Sequence, residues 1–175
     1  MTTECLEMIY PDLHAANIDL KAFTDRFYQE QCGARLDPVL KTLESMKDMG
    51  IWVEVTTLLI PGLNDAPEEL KSLARFLVAL DPGIPWHISR YHPTYRLTHI
   101  PSTQPELIRK ARDIGHDAGL NYVYTGNLPG DLGEKTYCHG CNALLLDRFG
   151  FTIKDNHIKD GCCPDCGASI PGVWE

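Results

Sequence analysis

The sequence predicts an α/β fold with about four parallel strands, followed by a small C-terminal four-cysteine ribbon. Two observations carry this. Strand-like and helix-like patterns alternate over the first 127 residues. A strand, helix, strand order at this spacing means right-handed crossovers and a parallel sheet. Further on, Cys138-His-Gly-Cys141 and Cys163-Pro-Asp-Cys166 stand 21 residues apart. Each pair can form a tight knuckle aiming two thiolates at one ion, and two knuckles together make a tetrahedral four-sulfur site with the spacing of a zinc ribbon.

The elements follow in order. Ala15 to Leu20 reads as a short apolar strand. Leu36, Val39, Leu40, Leu43, Met46 and Met49 recur at helical spacing, with Asp37 and Pro38 suited to the N-cap and first turn and Gly50 to the stop. Ile51 to Ile60 is β-branched and mostly apolar, which predicts a strand buried on both faces, ended by Pro61-Gly62. Pro67-Glu-Glu opens a second helix with Leu70, Leu73, Phe76, Leu77 and Leu80 on one side. Pro85 to His92 reads as a third strand. Thr103-Gln-Pro-Glu106 reads as a capping box for a third helix, with Leu107, Ala111, Ile114 and Ala118 as its buried stripe and Gly119 as its end. Asn121 to Gly126 is the fourth strand. Residues 128–136, with Pro129, Gly130 and Gly133, read as a linker, and 137–175 as the metal-folded module.

Composition narrows the function. The 175 residues carry 24 acidic against 16 basic side chains, a formal net charge of -8. That argues against a general nucleic-acid or anionic-membrane surface, which needs clustered Lys and Arg. No apolar run reaches the roughly 18–20 residues that span a bilayer. The start has no basic then apolar leader, which argues against secretion. The cysteines cluster at metal-knuckle spacing rather than spreading as a disulfide framework, so a reducing cytoplasm is expected. Cys5 and Cys32 have no partner at such spacing and read as packing residues.

Polar residues gather at strand ends, where parallel α/β folds place their ligands, whether the sheet is open or part of a barrel. Asp19 and Lys21 sit two apart and share one face. They could hold the amine and carboxylate of an amino-acid group, or simply pair with each other. Glu54 lies in an otherwise apolar strand, where an ionised carboxylate needs a partner. Its neighbours Thr56 and Thr57, then His87, Ser89, Arg90 and His92, then Thr125 and Asn127, complete the set. His87 and Ser89 face one way, Arg90 and His92 the other. In the ribbon, His139 and His157 are expected to be non-ligands, because four thiolates suffice. Cys162 adjoins Cys163; Cys163 is favoured because Cys163-Pro-Asp-Cys166-Gly is the tighter knuckle, its glycine letting backbone amides approach sulfur.

Several segments follow one another in a familiar series: Asn17-Ile-Asp-Leu-Lys-Ala-Phe23, Cys32-Gly-Ala, Trp52 to Asp65 ending Ile-Pro-Gly-Leu-Asn-Asp, Pro85-Trp-His-Ile-Ser-Arg-Tyr-His-Pro93, Tyr122-Val-Tyr-Thr-Gly-Asn127, then the two cysteine knuckles and Val173-Trp174. Over nearly its whole length the chain resembles the radical SAM enzyme of the AmmeMemoRadiSam system, a relative of the pyruvate formate-lyase activating enzyme. The resemblance implies a partial (β/α)6 barrel binding S-adenosylmethionine beside a [4Fe-4S] cluster, whose electron cleaves the sulfonium to a 5′-deoxyadenosyl radical. It implies that Asp19 and Lys21 approach the methionyl group and that His92 lies near the adenosine. Glu54 and Thr56 stand where the activating enzyme has a basic residue near the cofactor.

The sequence departs from that family in lacking the Cys-x-x-x-Cys-x-x-Cys cluster loop and the glycine-rich strand end. The expectation is therefore that residues 1–127 are the C-terminal half of the barrel, inactive alone, with residues 3–10 a helix preceding the fourth barrel strand. Such a half leaves a parallel edge strand near 15–20 unpaired, inviting a missing N-terminal half-barrel or a second copy. Other proteins of the AmmeMemoRadiSam system are further expected partners; nucleic acid and membrane are not. Two other readings stand beside the enzyme: a zinc-ribbon protein-binding module on an α/β scaffold, and a rubredoxin-like iron electron carrier. The cysteine pairs alone do not separate zinc from iron.

Overall fold

A computed structural model describes residues 1–174. Helix α1 (Thr3–Ile9) precedes β1 (Ala15–Asp19). A short helix α2 (Asp25–Phe27) runs into a π-helical turn (Tyr28–Cys32), and α3 (Asp37–Asp48), β2 (Trp52–Leu59), α4 (Pro67–Leu80), β3 (Trp86–Arg90), α5 (Pro105–Ala118) and β4 (Val123–Gly126) follow. After a 3-10 turn at Leu132–Glu134, β5 (Thr136–Tyr137), β6 (Leu144–Phe149) and β7 (Thr152–Asn156) form a second sheet. The first sheet is parallel throughout, in the order β1-β2-β3-β4; the second is antiparallel, β5-β6-β7.

Helices α3, α4 and α5 cover one face of the parallel sheet. Leu43 and Met46 of α3, Leu70, Leu73 and Leu77 of α4, and Ile108 and Ala111 of α5 pack against Val53, Val55 and Leu59 of β2, Trp86 and Ile88 of β3, and Val123 of β4. Trp86 is fully buried and its indole N–H still finds a partner: Nε1 donates to Thr57 Oγ1 at 2.9 Å, and that hydroxyl donates to the Leu20 carbonyl at 2.7 Å. A polar pair inside the core is thereby satisfied. Gly115 lets α5 lie close to the sheet, since a Cβ there would fall 2.9 Å from Val123 Cγ2 and 3.0 Å from the Trp86 ring.

The loop after β1 is held by side chains. Buried Asn64 accepts from Ile60 N and donates from Nδ2 to the carbonyls of Lys21 (2.6 Å) and Leu58 (2.9 Å), fixing the end of β1 against the turn after β2. Lys21 N donates to Tyr28 Oη, and Phe23 N to Glu69 Oε1.

Four sequence expectations change. Strand β2 alternates buried and half-buried residues rather than being buried on both faces, because helices cover only one side of the sheet. Thr103 does not cap α5: its hydroxyl accepts from Tyr91 N and donates to the Leu59 carbonyl, so the N-cap is Gln104 without a side-chain bond. The cap of α3 is Leu36, one residue before Asp37. Cys5 and Cys32 are exposed, not packed: on α1 only Leu6 faces the core, and Cys32 sits at the end of the π turn before left-handed Gly33.

The tight seat of α5 gives a direct check. Gly115→Ala is expected to lower unfolding stability by about 1–3 kcal/mol through overpacking, measured by urea denaturation.

Candidate functional site

The two knuckles share one backbone design. Cys138 N donates to the Ala143 carbonyl (2.8 Å) and Asn142 N to the Cys138 carbonyl (2.8 Å); Cys163 N donates to Ala168 O (2.9 Å) and Gly167 N to Cys163 O (2.9 Å). The fifth residue of each turn is left-handed, Asn142 at φ 60° and Gly167 at φ 74°. Both types tolerate that region. Gly167 serves by its φ, and backbone amides reach the sulfurs in both knuckles: Gly140 N donates to Cys138 Sγ at 3.3 Å, and the Ala168 amide that follows Gly167 bonds the Cys166 sulfur.

The sulfurs of Cys138, Cys141, Cys163 and Cys166 all lie within 4.8 Å of one another, with 3.6 Å between Cys138 and Cys166 and between Cys141 and Cys163. A tetrahedron with metal–sulfur bonds of about 2.3 Å has edges of about 3.8 Å, so the four thiols fit one zinc- or iron-sized ion. Cys162 stays outside; its backbone pairs with Lys159 and Ser169. His139 and His157 also stay outside the group. Burial raises the Cys138 thiol, but amide donors at Cys141 and Gly140 and the neighbouring thiols outweigh it and bring it down to about 7. The Cys141 thiol receives a backbone bond at Ala143, yet crowding by the other three sulfurs pushes it up to about 12. Sulfurs this close cannot all ionise without a cation among them.

The uncovered face of the parallel sheet carries a second polar set. Register places Asn17 beside Glu54; Asp19, Thr56, His87 and Tyr124 in the next row; and Leu58, Ser89 and Gly126 in the row above. Asp19 and Lys21 form an exposed ion pair at 2.8 Å, of the kind worth under about 1 kcal/mol. Thr56 Oγ1 donates to Asn17 Oδ1 at 2.8 Å. Glu54 Oε2 lies 2.8 Å from His87 Nε2, and Trp52 Nε1 donates to Glu54 Oε1 at 3.4 Å. The His87 bond outweighs burial and holds the Glu54 carboxyl below its usual 4.5, and Arg148 adds to this.

The metal module closes on this network. The His87 ring stacks on Tyr124 with centroids 5.1 Å apart, and the Arg148 guanidinium of β6 lies 5.5 Å from the Tyr124 centroid. Tyr124 Oη shares a 2.9 Å hydrogen bond with Thr136 Oγ1, and Tyr122 Oη one of 2.9 Å with His139 Nδ1. Tyr122 and Tyr124 pack in one buried cluster with Cys138, Cys163, Leu145 and Ile170. A cleft of about 250 Å3 remains around Glu54, His87, Arg148 and Trp174, and another of about 400 Å3 runs from Asn17 and Thr56 past Ser89 to Gly150 and Phe151.

Sequence reasoning paired Asp19 with Lys21 and singled out Glu54, Thr56 and His87 on neighbouring strands; register sets Asp19, Thr56 and His87 in one row, and Glu54 meets His87. His92 lies beyond the end of β3, exposed, with its Nδ1 3.5 Å from Ser102 Oγ. Arg90 turns away and donates from Nε to the Thr103 carbonyl. Tyr124, Arg148 and Thr136 were missed. The alternation of Tyr122-Val-Tyr124 was a usable signal for one of them; no local pattern marks Arg148.

No protein-family model matches the sequence. The uncharacterized protein MJ0808 of Methanocaldococcus jannaschii is 43% identical over 159 residues, covering 89% of this chain and 47% of that protein. The chain spans about half the length of the curated relative it matches. The crystal structure of a domain of pyruvate-formate lyase-activating enzyme from Bacteroides vulgatus superposes with a TM-score of 0.63 at 20% identity, covering 72% of this chain and 75% of that chain. At that identity the likeness speaks to the fold alone; this chain's own four parallel strands are consistent with a partial barrel, and its four-cysteine group lies near the C-terminal end. Among the described residues no helix is long and apolar enough to cross a membrane.

Two measurements check the site. Cys163→Ser is expected to reduce bound metal from one ion per chain to none, and Cys162→Ser to leave it at one, by elemental analysis. The Glu54 carboxyl is depressed in the fold, so its stabilisation is complete above about 4.5 and is lost as pH falls through the folded value. A melting temperature profiled against pH should therefore drop below about 4.5, and Glu54→Gln should flatten part of that drop.

Proposed function

We propose that this chain is the C-terminal part of a radical SAM enzyme of the AmmeMemoRadiSam kind, related to the pyruvate formate-lyase activating enzyme. The observation that carries the reading is the polar, uncovered face of a four-strand parallel sheet that shares its fold with an activating-enzyme domain. Asp19 and Lys21 offer a carboxylate and an ammonium at the end of β1, complementary to the two charged ends of an amino-acid group such as the methionyl part of S-adenosylmethionine. Thr56 stands beside Asp19, and Glu54 one row below it. His92, past the end of β3, is placed at the adenosine by resemblance alone.

The residues present do not fit a cofactor-binding [4Fe-4S] cluster. Such a cluster takes closely spaced cysteine thiolates, with one iron left open to the cofactor. Among the described residues, the one group of three or more metal-binding side chains is the closed four-cysteine site. Cys5 and Cys32 stand outside it. We assign the cluster ligands to the other part of a longer polypeptide and the four-cysteine site to a structural ion, zinc or iron. Alone, the chain is then inactive, and its open β1 edge takes the half-barrel that carries the cluster, with the other proteins of the AmmeMemoRadiSam system as further partners.

The test is anaerobic loading with iron and sulfide, reduction, and assay for 5′-deoxyadenosine. This chain alone is expected to release none, and the full-length M. jannaschii relative to release it. Cleavage by the chain alone would overturn the placement of the cluster; a loaded but silent relative would overturn the radical reading. The colour of aerobically purified protein, red with iron or colourless with zinc, reports which ion fills the four-cysteine site.

A further inference from the structure

The β6–β7 hairpin is a strand pair with little beneath it. Every residue of β7 is exposed, and β7 pairs on one side only, with β6. Phe149, Ile153 and Phe151 are 52%, 58% and 108% exposed. Ile153 stands opposite Arg148 in the ladder, so it shares the face that Arg148 turns toward the parallel sheet. The hairpin turn is nonetheless fixed: Gly150 N donates to Glu134 Oε2 at 2.8 Å, and the other oxygen of that carboxylate accepts from Gly130 N at 3.0 Å. A held turn that presents a bare phenylalanine and an unpaired strand edge marks a surface made to be covered.

Its position says by what. Gly150 and Phe151 stand across a cleft from Asn17 of β1, the strand whose outer edge is open. In β1 the backbone of Leu20 turns toward β2, where its N–H meets the Thr56 carbonyl. The backbone groups of Asn17 and Asp19, at alternate positions, therefore turn to the open edge. Anything that extends the sheet past β1 arrives under the hairpin tip. The curated relative is about twice as long as the part this chain matches, so that relative carries a further segment of comparable size.

We propose that the β6–β7 hairpin is a docking arm. Phe151 and Ile153 pack on the inner face of the half-barrel that adds to the β1 edge, so the metal module clasps the joint from within. This rests on the half-barrel reading above for the identity of the occupant. The arm and the β1 edge then form one interface with two contacts, one of backbone hydrogen bonds and one apolar.

The experiment co-expresses this chain with the part of the M. jannaschii relative that it does not match, tagged for co-purification, and measures affinity by competition. Wild-type chain is expected to be captured. The double variant Phe151→Ser/Ile153→Ser, checked for unchanged metal content and circular dichroism, is expected to bind at least about tenfold more weakly, equivalent to about 1.4 kcal/mol. Asn17→Pro, which removes an edge donor, is expected to abolish capture. Loss with Asn17→Pro but none with the hairpin variant would overturn the docking arm and leave the half-barrel reading standing. No capture of wild type would overturn both. A chain that dimerises alone and becomes monomeric in the hairpin variant would assign the patch to a second copy and overturn the proposal.

Discussion

Tyr122 and Tyr124 carry the tertiary structure from one half of the molecule to the other. Tyr122 just precedes the last parallel strand and Tyr124 lies within it; both turn away from the helices, and the buried Cys138 and Cys163 pack against them. The same tyrosines spend their hydroxyls on the module, one on His139 and one on Thr136. Packing and hydrogen bonding thus depend on a single docking, and that docking depends on the knuckles being closed. Four sulfurs within 4.8 Å repel as thiolates, so together they stay partly protonated or gather around a cation. An ion held by the four sulfurs would contribute to folding of the whole sheet face, as in other sites where ligands gather only in the folded chain.

The helix face and the opposite face follow different rules. On the helix side, burial is complete and polar groups are paired inside the core, as with Trp86 and Thr57. On the other side, coverage is partial and lopsided. The module shields the β3 and β4 side, and Ala15, Asn17 and Asp19 of β1 remain exposed. A parallel sheet in an α/β fold is usually covered on both faces, and its edge strands are usually blunted or shielded.

The order of strands and helices was legible because apolar spacing and glycine stops are local signals. Helices α3, α4 and α5 end or begin within a residue or two of where Pro38, Gly50, Pro67 and Gly119 point. The errors arose where a residue answers to a distant one. Thr103 has the look of a capping residue, but Tyr91 N and the Leu59 carbonyl take its hydroxyl. The run from Ile51 to Ile60 looked buried on both faces because Thr56 and Leu58 do not betray which side lacks helices. The four cysteines were legible from spacing, since knuckle geometry is set within each turn. Arg148 was not, because its role exists only once β6 is laid against β4.

Which polar groups remain available to a ligand follows from which are already satisfied. Glu54, His87, Tyr124 and Arg148 form a half-buried network in which each partner supports the next, and breaking one link leaves another unpaired at a cost of about 1–3 kcal/mol. Asp19 and Lys21 are bound only to each other, in water, for under about 1 kcal/mol. An incoming molecule with one positive and one negative group can replace that pairing at little cost, whereas a ligand entering the cleft at Glu54 would have to compete with the His87 and Trp52 hydrogen bonds already made there. The strip along β1 is therefore the part of the face where binding is cheapest, and it is also the strip that the open edge and the hairpin tip overlook.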